Sequence, residues 1–395
     1  MERKSLVIIM SVMFIAMTGF GIVLPSMPYL ADRLGLSSFQ MGTLITGWAF
    51  AQVIVTPIWG KIIDKFGKKK VLMIGMLGFG AAYIVTSIAQ TYVQLLIIRI
   101  IGSVLSSGSI PAALSLVADS STNENRSLLM AKMGAINSLG FLCGPAIGGV
   151  LLPFGVNFPF VGAGICALLT LPFIMLFITD SARWNARERA NEPSFFQSIG
   201  MMMKPGYREL FIPSFGQSFA VSSLFAMLGY FLIDQFSAPA WQVSLGFSVF
   251  AGGSAIVQFF LLQSLYKHKT DNWIAKLGFV LCMIGFAGIA FSYSSFWVVI
   301  ACAIVGVGTA CIKPTVLSLL SKQEGMGRGI TMALDQTMDS FGRVVGPLVA
   351  GWIYLIHHSL PFIGSAFICF LMLIVVVYSG KSHIGAWSVS ETKAY

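Results

Sequence analysis

The stretches "NSLGFLCGPAIGGV" (residues 137–150) and "DSFGRVVGPLVAGW" (residues 339–352) are two copies of one pattern. An offset of 202 residues superimposes their shared glycines and proline, pairing Gly140 with Gly342, Gly144 with Gly346, Pro145 with Pro347 and Gly149 with Gly351. A second match lies upstream, where "PAALSL" at 111–116 resembles "PTVLSL" at 314–319. Because the offset is close to half of the 395 residues, the chain consists of two homologous halves in parallel orientation.

Apolar blocks of about 20 residues run through both halves. The chain is 56% hydrophobic with a mean hydropathy of +0.83, well above the values of a soluble domain. About 20 apolar residues in a helix cross a hydrocarbon core of ~30 Å. We count twelve such blocks, at about 5–30, 40–63, 70–89, 93–118, 128–152, 157–179, 210–234, 241–265, 273–293, 296–320, 328–355 and 359–379. The sequence therefore predicts an all-α polytopic membrane protein with twelve transmembrane helices in two six-helix repeats.

One long polar segment separates the two sets of six blocks. It begins with a charged run, "DSARWNARERANEP", and continues as an amphipathic one, "SFFQSIGMMM". This order is typical of a cytoplasmic linker that rests on the membrane surface. We expect an N-terminal six-helix bundle at 1–179, a linker at 180–209 and a C-terminal six-helix bundle at 210–395.

The formal net charge of +10 is unevenly distributed across the membrane. With a cytoplasmic N-terminus, the cytoplasmic loops and tails hold most lysines and arginines, whereas the opposite side holds Arg33 alone. This asymmetry follows the positive-inside rule and predicts a multi-pass protein of the cell membrane with both termini in the cytoplasm. The basic balance is therefore a topology signal and indicates no nucleic-acid partner.

The sequence carries no motif for a cofactor, a metal or catalysis. All six cysteines fall inside apolar spans without a CxxC pair, which favours small core residues over metal ligands or disulfides. The chain also lacks a Walker-type phosphate-binding loop. We expect no cofactor, no bound metal and no enzymatic activity.

The loop after the second span reads "GKIIDKFGKKK" at 60–70. It matches G-x-x-x-D-[RK]-x-G-[RK]-[RK], the cytoplasmic loop pattern of the major facilitator superfamily, which the twelve-span chain resembles. Gly60 and Gly67 permit a tight turn and close helix approach, and Asp64 can accept hydrogen bonds at a helix end and pair with basic neighbours such as Lys68. We expect these four residues to form a conformational motif in which Asp64 holds one state at the cytoplasmic face.

The fifth span contains a second signature, "GFLCGPAIGG" at 140–149. It matches G-x-x-x-G-P-x-x-G-G, which the superfamily associates with antiporters. Glycines four apart let helices touch backbone to backbone, and a proline bends the helix at that contact, so simple helix packing is the competing interpretation. The conformational residues implied by this match are Gly140, Gly144, Pro145, Gly148 and Gly149.

Two further features refine the resemblance. "RIIGS" in span four is similar to the superfamily's intramembrane arginine signature and places Arg99 within an apolar run. Span one contains "PSMP", with Pro25 and Pro28, similar to the proline pair of twelve-span drug exporters. The chain is most similar to the drug:proton antiporters of Gram-positive bacteria. That resemblance implies alternating access, with inward proton movement driving a small organic molecule outward.

Proton coupling requires titratable groups inside the membrane. In this chain they lie in other spans than in many relatives. Relatives often carry a carboxylate in span one, seven or ten, but here span seven has only Asp234 near its outer end and span ten has Lys313. The inner carboxylates, Asp335 and Asp339, lie in span eleven. The offset of 202 residues places Asp339 on Asn137, so the charge is particular to the second half.

The spacing of Asp335, Asp339 and Arg343 places them on one helix face. One interpretation is a structural Asp339–Arg343 pair at i,i+4. The other is a polar cluster with Lys313 that binds protons or substrate. We assign proton coupling to Asp335 and Asp339, with Asp335 as the proton site if Asp339 is structural. Substrate binding is assigned to the intramembrane cations Lys313, Arg343 and Arg99, and to Tyr230 as an aromatic residue that could line a cavity.

The sequence thus favours proton-coupled, multidrug-type efflux of small amphipathic organic molecules, with antibiotic resistance as a consequence. The interior cations leave open a dedicated exporter of an endogenous zwitterionic or anionic metabolite such as a metallophore. An importer and a non-transporting membrane scaffold fit the motifs less well. The expected partners are the substrate, protons and the lipid bilayer, with the chain acting as a monomer.

Overall fold

The computed structural model describes residues 3–120, 126–178, 208–321 and 328–387. Every regular element in these ranges is helical. In the first half the helices are α1 Arg3–Arg33, α2 Ser38–Phe66, α3 Lys68–Ile88, α4 Tyr92–Ser106, α5 Ser109–Asp119, α6 Arg126–Leu151 and α7 Phe158–Phe177. In the second half they are α8 Arg208–Phe236, α9 Ala240–Ile256, α10 Leu262–His268, α11 Asp271–Ala290, α12 Ser295–Ser321, α13 Arg328–Tyr354 and α14 Leu360–Trp387. Nearly all of the predicted linker lies outside the described residues.

These helices form the twelve predicted spans. Ser107 and Gly108 interrupt the fourth span between α4 and α5. The backbone packs closely there, since a Cβ on Gly108 would lie 2.7 Å from the Trp59 ring. A π-helical turn at Val257–Leu261 separates α9 from α10 in the eighth span. The fifth span is α6, the seventh α8, the tenth α12 and the eleventh α13.

Eleven described segments are long and apolar enough to cross a membrane. The helix of the eleventh span, α13, is not among them although it has 27 residues, since it carries Arg328, Asp335, Asp339 and Arg343. At 1.5 Å per residue such a helix is about 40 Å long, which suffices to span the bilayer. The least apolar of the long helices therefore carries the candidate site.

Large apolar side chains remain exposed on many helices, as Leu176 and Phe260 do at 77% and 75%. Such exposure is unusual for a soluble fold and is expected where hydrocarbon covers the helix. The buried positions of the same helices are largely apolar or small. Helix starts are capped where the chain leaves the apolar region: Ser37 forms a capping box with Gln40, and Thr91 and Thr270 accept from backbone N–H groups.

Contacts between Cα atoms divide the chain into two compact units. The first unit comprises Met1–Ala190 and Leu228–Ala251, and the second comprises Asn191–Met227 and Gly252–Tyr395. The division cuts α8 and α9 and does not follow the centre of the sequence. The borders of the predicted domains, 1–179, 180–209 and 210–395, fall in or beside undescribed residues and stay a prediction, although α8 already begins at Arg208.

Candidate functional site

The second unit contains a polar cluster centred on Asp339 of α13. Lys313 of α12 donates to Oδ1 of Asp339, and Arg343, one turn further along α13, forms an ion pair with Oδ2. Ser218 of α8 donates a third hydrogen bond, to Oδ1, at 2.5 Å. The Asp339 side chain is only 4% exposed. Two cations and a hydroxyl therefore compensate one buried carboxylate.

Asp335 lies one turn before Asp339 and has simpler surroundings. The hydroxyl of Ser214 on α8 donates to its Oδ1. The residue is 3% exposed, and among the described residues no cation forms an ion pair with it. Ser214 and Ser218 are four residues apart, as are Asp335 and Asp339, so α8 and α13 are joined by two successive hydroxyl–carboxylate hydrogen bonds.

The two cations of the cluster reach the accessible surface of the unit, whereas the carboxylates do not. The side chains of Lys313 and Arg343 are 35% and 52% exposed. Asp339 lies eleven residues from the start of α13, about 16 Å along the helix axis. The cluster thus occupies the middle of the span, where ionisable groups are costly and usually functional.

Gln217 adds an amide to the same region. Its Nε2 donates to the carbonyl of Thr309 at 3.3 Å, one turn before Lys313 on α12. Its Oε1 is buried and has no hydrogen-bond partner among the described residues. The sequence analysis did not identify the polar residues that α8 contributes to this region. A polar stripe in an otherwise apolar span is a usable signal for them, and it comprises Ser214, Gln217, Ser218 and Ser222.

The predicted glycine signature forms a backbone contact between α6 and α1 in the first unit. A Cβ on Gly144 would lie 2.5 Å from the Cα of Gly21 and 2.6 Å from the carbonyl oxygen of Thr18. No side chain fits there without moving a helix. Two other glycines make the same kind of contact, Gly140 with the carbonyl of Phe14 and Gly148 with that of Ile22, each at 2.6 Å from the added Cβ. Pro145 lies inside α6 between these contacts, and Gly149 faces Ser244 of α9.

The second copy of the pattern forms the equivalent contact between α13 and α8. A Cβ on Gly342 would lie 2.6 Å from the carbonyl of Phe215, and one on Gly346 would lie 2.5 Å from that of Phe219. The repeat in sequence is therefore a repeat in packing. In the second half alone, the same pair of helices also carries the hydroxyl–carboxylate contacts.

The predicted loop motif lies between α2 and α3 in the first unit. Gly67 has φ +95°, a left-handed conformation that favours glycine. Lys68, which follows it, forms an ion pair with Asp119 at the end of α5, and both side chains are mostly buried. Gly60 is half-buried on α2. The side chain of Asp64 lies outside the described residues.

The other two predicted substrate residues belong to the first unit. Arg99 is buried on α4 with its guanidinium 5.0 Å from the Trp48 ring, and its Nε has no hydrogen-bond partner among the described residues. Tyr230 of α8 donates to the carbonyl of Leu36 at 2.9 Å. The substrate roles of both residues stay predictions.

The fold and the sequence together decide the family. The sequence model of the Major Facilitator Superfamily matches residues 9–324. The chain belongs to the Major Facilitator Superfamily.

Relatives in this superfamily match along the whole chain. Multidrug resistance protein 1 of Bacillus subtilis (strain 168) is 27% identical over 391 residues, covering 98% of this chain and 100% of that protein. Multidrug resistance protein 2 of the same strain is 26% identical, with 98% of both chains covered. Quinolone resistance protein NorA of Staphylococcus aureus is 24% identical, with 96% of this chain and 97% of NorA covered.

Solved structures share the fold at lower identity. The nucleoside transporter NupG superimposes with a TM-score of 0.80 at 12% identity, covering 96% of this chain and all of that one (100%). The human organic anion transporter MFSD10 (TETRAN) gives a TM-score of 0.66 at 20% identity, covering 95% of this chain and 99% of that one. These family members are membrane transporters.

Proposed function

We propose that this protein is a proton-coupled secondary transporter that exports small amphipathic organic molecules by alternating access. The observation that carries the proposal is the pair of buried carboxylates on α13. One is compensated by two cations, and the other accepts from a hydroxyl and has no ion pair in the described part of the chain. Full-length similarity to multidrug and quinolone resistance proteins supports a multidrug type of efflux. The same similarity disfavours a dedicated exporter of an endogenous metabolite, and the glycine signature disfavours an importer.

In this proposal Asp335 carries the proton. Its carboxyl is buried against Ser214 and forms no ion pair with any described cation, so gain or loss of a proton changes the charge of the site directly. Asp339 is instead fixed as an anion by Lys313 and Arg343 and acts mainly as a structural centre. Because Ser214 and Ser218 belong to α8, a change in the charge of Asp335 alters the contact between α8 and α13.

Substrate binding falls to the exposed parts of Lys313 and Arg343, with Arg99 and Tyr230 as candidates in the first unit. The conformational change uses the backbone contacts of Gly140, Gly144 and Gly148 against α1. The ion pair between Lys68 and Asp119 ties α3 to α5 beside the basic loop. Such a contact stabilises one of two states and must be broken and remade in each cycle.

The proposed location is the cell membrane of a bacterium, with the basic loops and both termini in the cytoplasm. Protons, an organic substrate and the lipid bilayer are the proposed partners, and the chain acts as a monomer without enzymatic activity or a cofactor.

Transport by the purified full chain in proteoliposomes tests this function. A panel of cationic, zwitterionic and anionic amphipathic fluorophores would be followed with and without an imposed pH gradient. We expect at least one compound to move faster when protons flow in the opposite direction, and a protonophore to remove the acceleration. If no compound responds to the gradient, proton-coupled export is wrong.

A further inference from the structure

In the Asp339 cluster of the second unit, the cations are accessible and the carboxylates are buried. The side chains of Lys313 and Arg343 are partly exposed, whereas Asp335 and Asp339, taken as whole residues, are 3% and 2% exposed. A molecule that approaches this face of the unit therefore meets two cations before it meets a carboxylate. Like charges repel, so an organic cation without an anionic group is poorly matched to the entrance of the site.

The two cations are also positioned to share one anionic group. They bind the two oxygens of a single carboxylate, which holds the ammonium and the guanidinium close together. In the described part of the chain each donates one hydrogen bond, although an ammonium has three donors and a guanidinium has five. Their remaining donors can bind a second carboxylate, from a ligand, on the exposed side.

An anionic group alone is nevertheless inconsistent with exchange against protons. Three groups act on the Asp335 carboxyl: Ser214 from α8, Lys313 from α12, and Asp339 on its own helix. An anion that neutralises Lys313 and Arg343 weakens the positive field at Asp335, so the anion and the proton assist each other's binding. By linkage such a ligand is carried together with protons, and export requires the opposite sign of coupling.

A positive group on the ligand supplies the required competition. Placed beside Asp335, an ammonium occupies the position of the proton and favours the carboxylate form. Asp335 and Asp339 are one turn apart, and residues at that spacing have Cβ atoms about 5–6 Å apart. A ligand with its two charges separated by a similar distance can place the anion on the exposed cations and the ammonium at Asp335.

We infer that the site selects zwitterions, whose anionic group is bound by Lys313 and Arg343 while their ammonium group replaces the proton at Asp335. The inference rests on the proposed proton-coupled export and specifies its substrate class. It also sets the charge balance of the cycle. A zwitterion has no net charge, so export of one molecule against one proton moves one positive charge inward, whereas one-for-one exchange of a monocation is electroneutral.

Three compounds with one carbon skeleton separate the charge requirements. They are 3-amino-3-(2-naphthyl)propanoic acid, a zwitterion at neutral pH, its methyl ester, a cation, and its N-acetyl derivative, an anion. Binding to the purified full chain would be measured by naphthyl fluorescence. Transport in proteoliposomes would be measured under a pH gradient, with the membrane potential set independently by potassium and valinomycin. We expect the zwitterion to bind at least tenfold more tightly than either derivative and its export to accelerate with a potential that is negative inside the cytoplasmic compartment.

Variants of Lys313 test whether the preference for the zwitterion over the ester depends on the cations of the cluster. Lys313→Gln leaves the Asp339–Arg343 pair in place and should reduce the preference for the zwitterion over the ester at least tenfold, whereas Lys313→Arg should retain it. The matched control is Lys276→Gln on α11, which removes the same charge from the same unit outside the cluster and should leave the preference unchanged.

The outcomes distinguish the inference from the function on which it rests. If the zwitterion does not bind, or the ester binds equally well, or Lys313→Gln leaves the preference intact, the inference is wrong. Proton-driven movement of the ester would in that case still support export. If a pH gradient drives none of the compounds in the wider panel, the proposed function fails as well.

Discussion

Two aspartates on one helix face, separated by a single turn, receive different partners from the neighbouring helices. Asp339 is bound by Lys313, Arg343 and Ser218, whereas Asp335 has the Ser214 hydroxyl. A carboxylate between two cations is stabilised as an anion, and releasing it is costly. A buried carboxyl with one hydroxyl donor can change its charge at lower cost. These surroundings favour a structural role for Asp339 and a proton-carrying role for Asp335.

Replacing Asp335 with Asn tests the proton-carrying role. The amide keeps the shape of the carboxyl and can still accept from Ser214, but it cannot bind and release a proton. We expect pH-driven export to fall at least a hundredfold, while the variant still binds a substrate that does not depend on this charge and still equilibrates it without a gradient. Comparing gradient-driven transport with counterflow in the same vesicles separates the two activities. Retained accumulation against a gradient would place the proton site elsewhere.

Replacing Asp339 with Asn should mainly destabilise the protein. The substitution leaves two cations without their anion, but neither cation is fully buried, so the loss should be smaller than the ~3–5 kcal/mol of a fully buried pair. Because two cations lose their partner, Arg343→Gln should restore the stability of Asp339→Asn only in part. Adding Lys313→Gln should restore it further. Thermal unfolding in detergent of the single, double and triple variants measures this order. Equal stability of the single and triple variants would contradict it.

The Asp339–Arg343 pair was predictable, because spacing within a helix fixes which residues share a face. Two other kinds of contact were harder to predict: that of Asp339 with Lys313, and those of the two carboxylates with Ser214 and Ser218. They depend on the register between α13, α12 and α8, which a single sequence does not determine. The sequence also gave no reason to rank Lys313 as a second ligand of Asp339 rather than as a separate cation.

The two glycine-rich helices, α6 and α13, form their contacts through backbone atoms. In α6 the added Cβ of Gly144 would meet Gly21 and Thr18 of α1, and in α13 that of Gly346 would meet the carbonyl of Phe219 on α8. Backbone cannot move aside as a flexible side chain does, so the contact requires glycine. A contact without interlocking side chains also lets one helix slide or tilt against the other, which suits a moving interface.

The substitution Gly144→Leu tests the α6–α1 contact, and the chain provides a matched control. Gly134 lies on the same helix, and a Cβ placed there meets nothing within 4 Å. We expect Gly144→Leu to reduce export at least tenfold or to let protons leak, since α6 and α1 are forced apart. Gly134→Leu should transport normally. Proton-driven export and passive proton leak would be measured in the same vesicles; normal function of Gly144→Leu would remove the contact from the mechanism.

Much of the architecture of the whole molecule was predictable, because the lengths of the apolar blocks and the offset between the repeats are properties of the sequence itself. The twelve spans follow from them, and the superfamily was predicted from its resemblance in the motifs at 60–70 and 140–149. The turn at Ser107 and Gly108 and the π-helical turn at Val257–Leu261 were not predicted, since both lie inside uninterrupted apolar runs. The assignment of Leu228–Ala251 to the first unit was also not foreseeable, because it follows from tertiary contacts and does not follow the sequence repeat.

That assignment arises from contacts between the two sequence halves on the predicted outer side. Tyr230 donates to the carbonyl of Leu36, and Tyr29 donates to that of Ala238 at 3.1 Å. A Cβ on Gly229 would lie 2.8 Å from the Cβ of Pro28, so α8 and α1 touch without space for a side chain. Alternating access requires these contacts to separate when the site opens outward, and to form again when it closes.

The substitution Gly229→Leu should therefore hold the outer ends of α1 and α8 apart. We expect bound substrate to exchange from the outer side while net export falls at least tenfold, because the outer seal cannot re-form. Gly364→Leu on α14 is the control, since a Cβ there has only ordinary contact, 3.7 Å from Ile353. The measurement is the accessibility of a bound fluorescent substrate to a quencher that cannot cross the membrane, added to right-side-out vesicles. If Gly229→Leu exports substrate at the normal rate and the quencher stays excluded, the contact between Pro28 and Gly229 is not part of the outer seal.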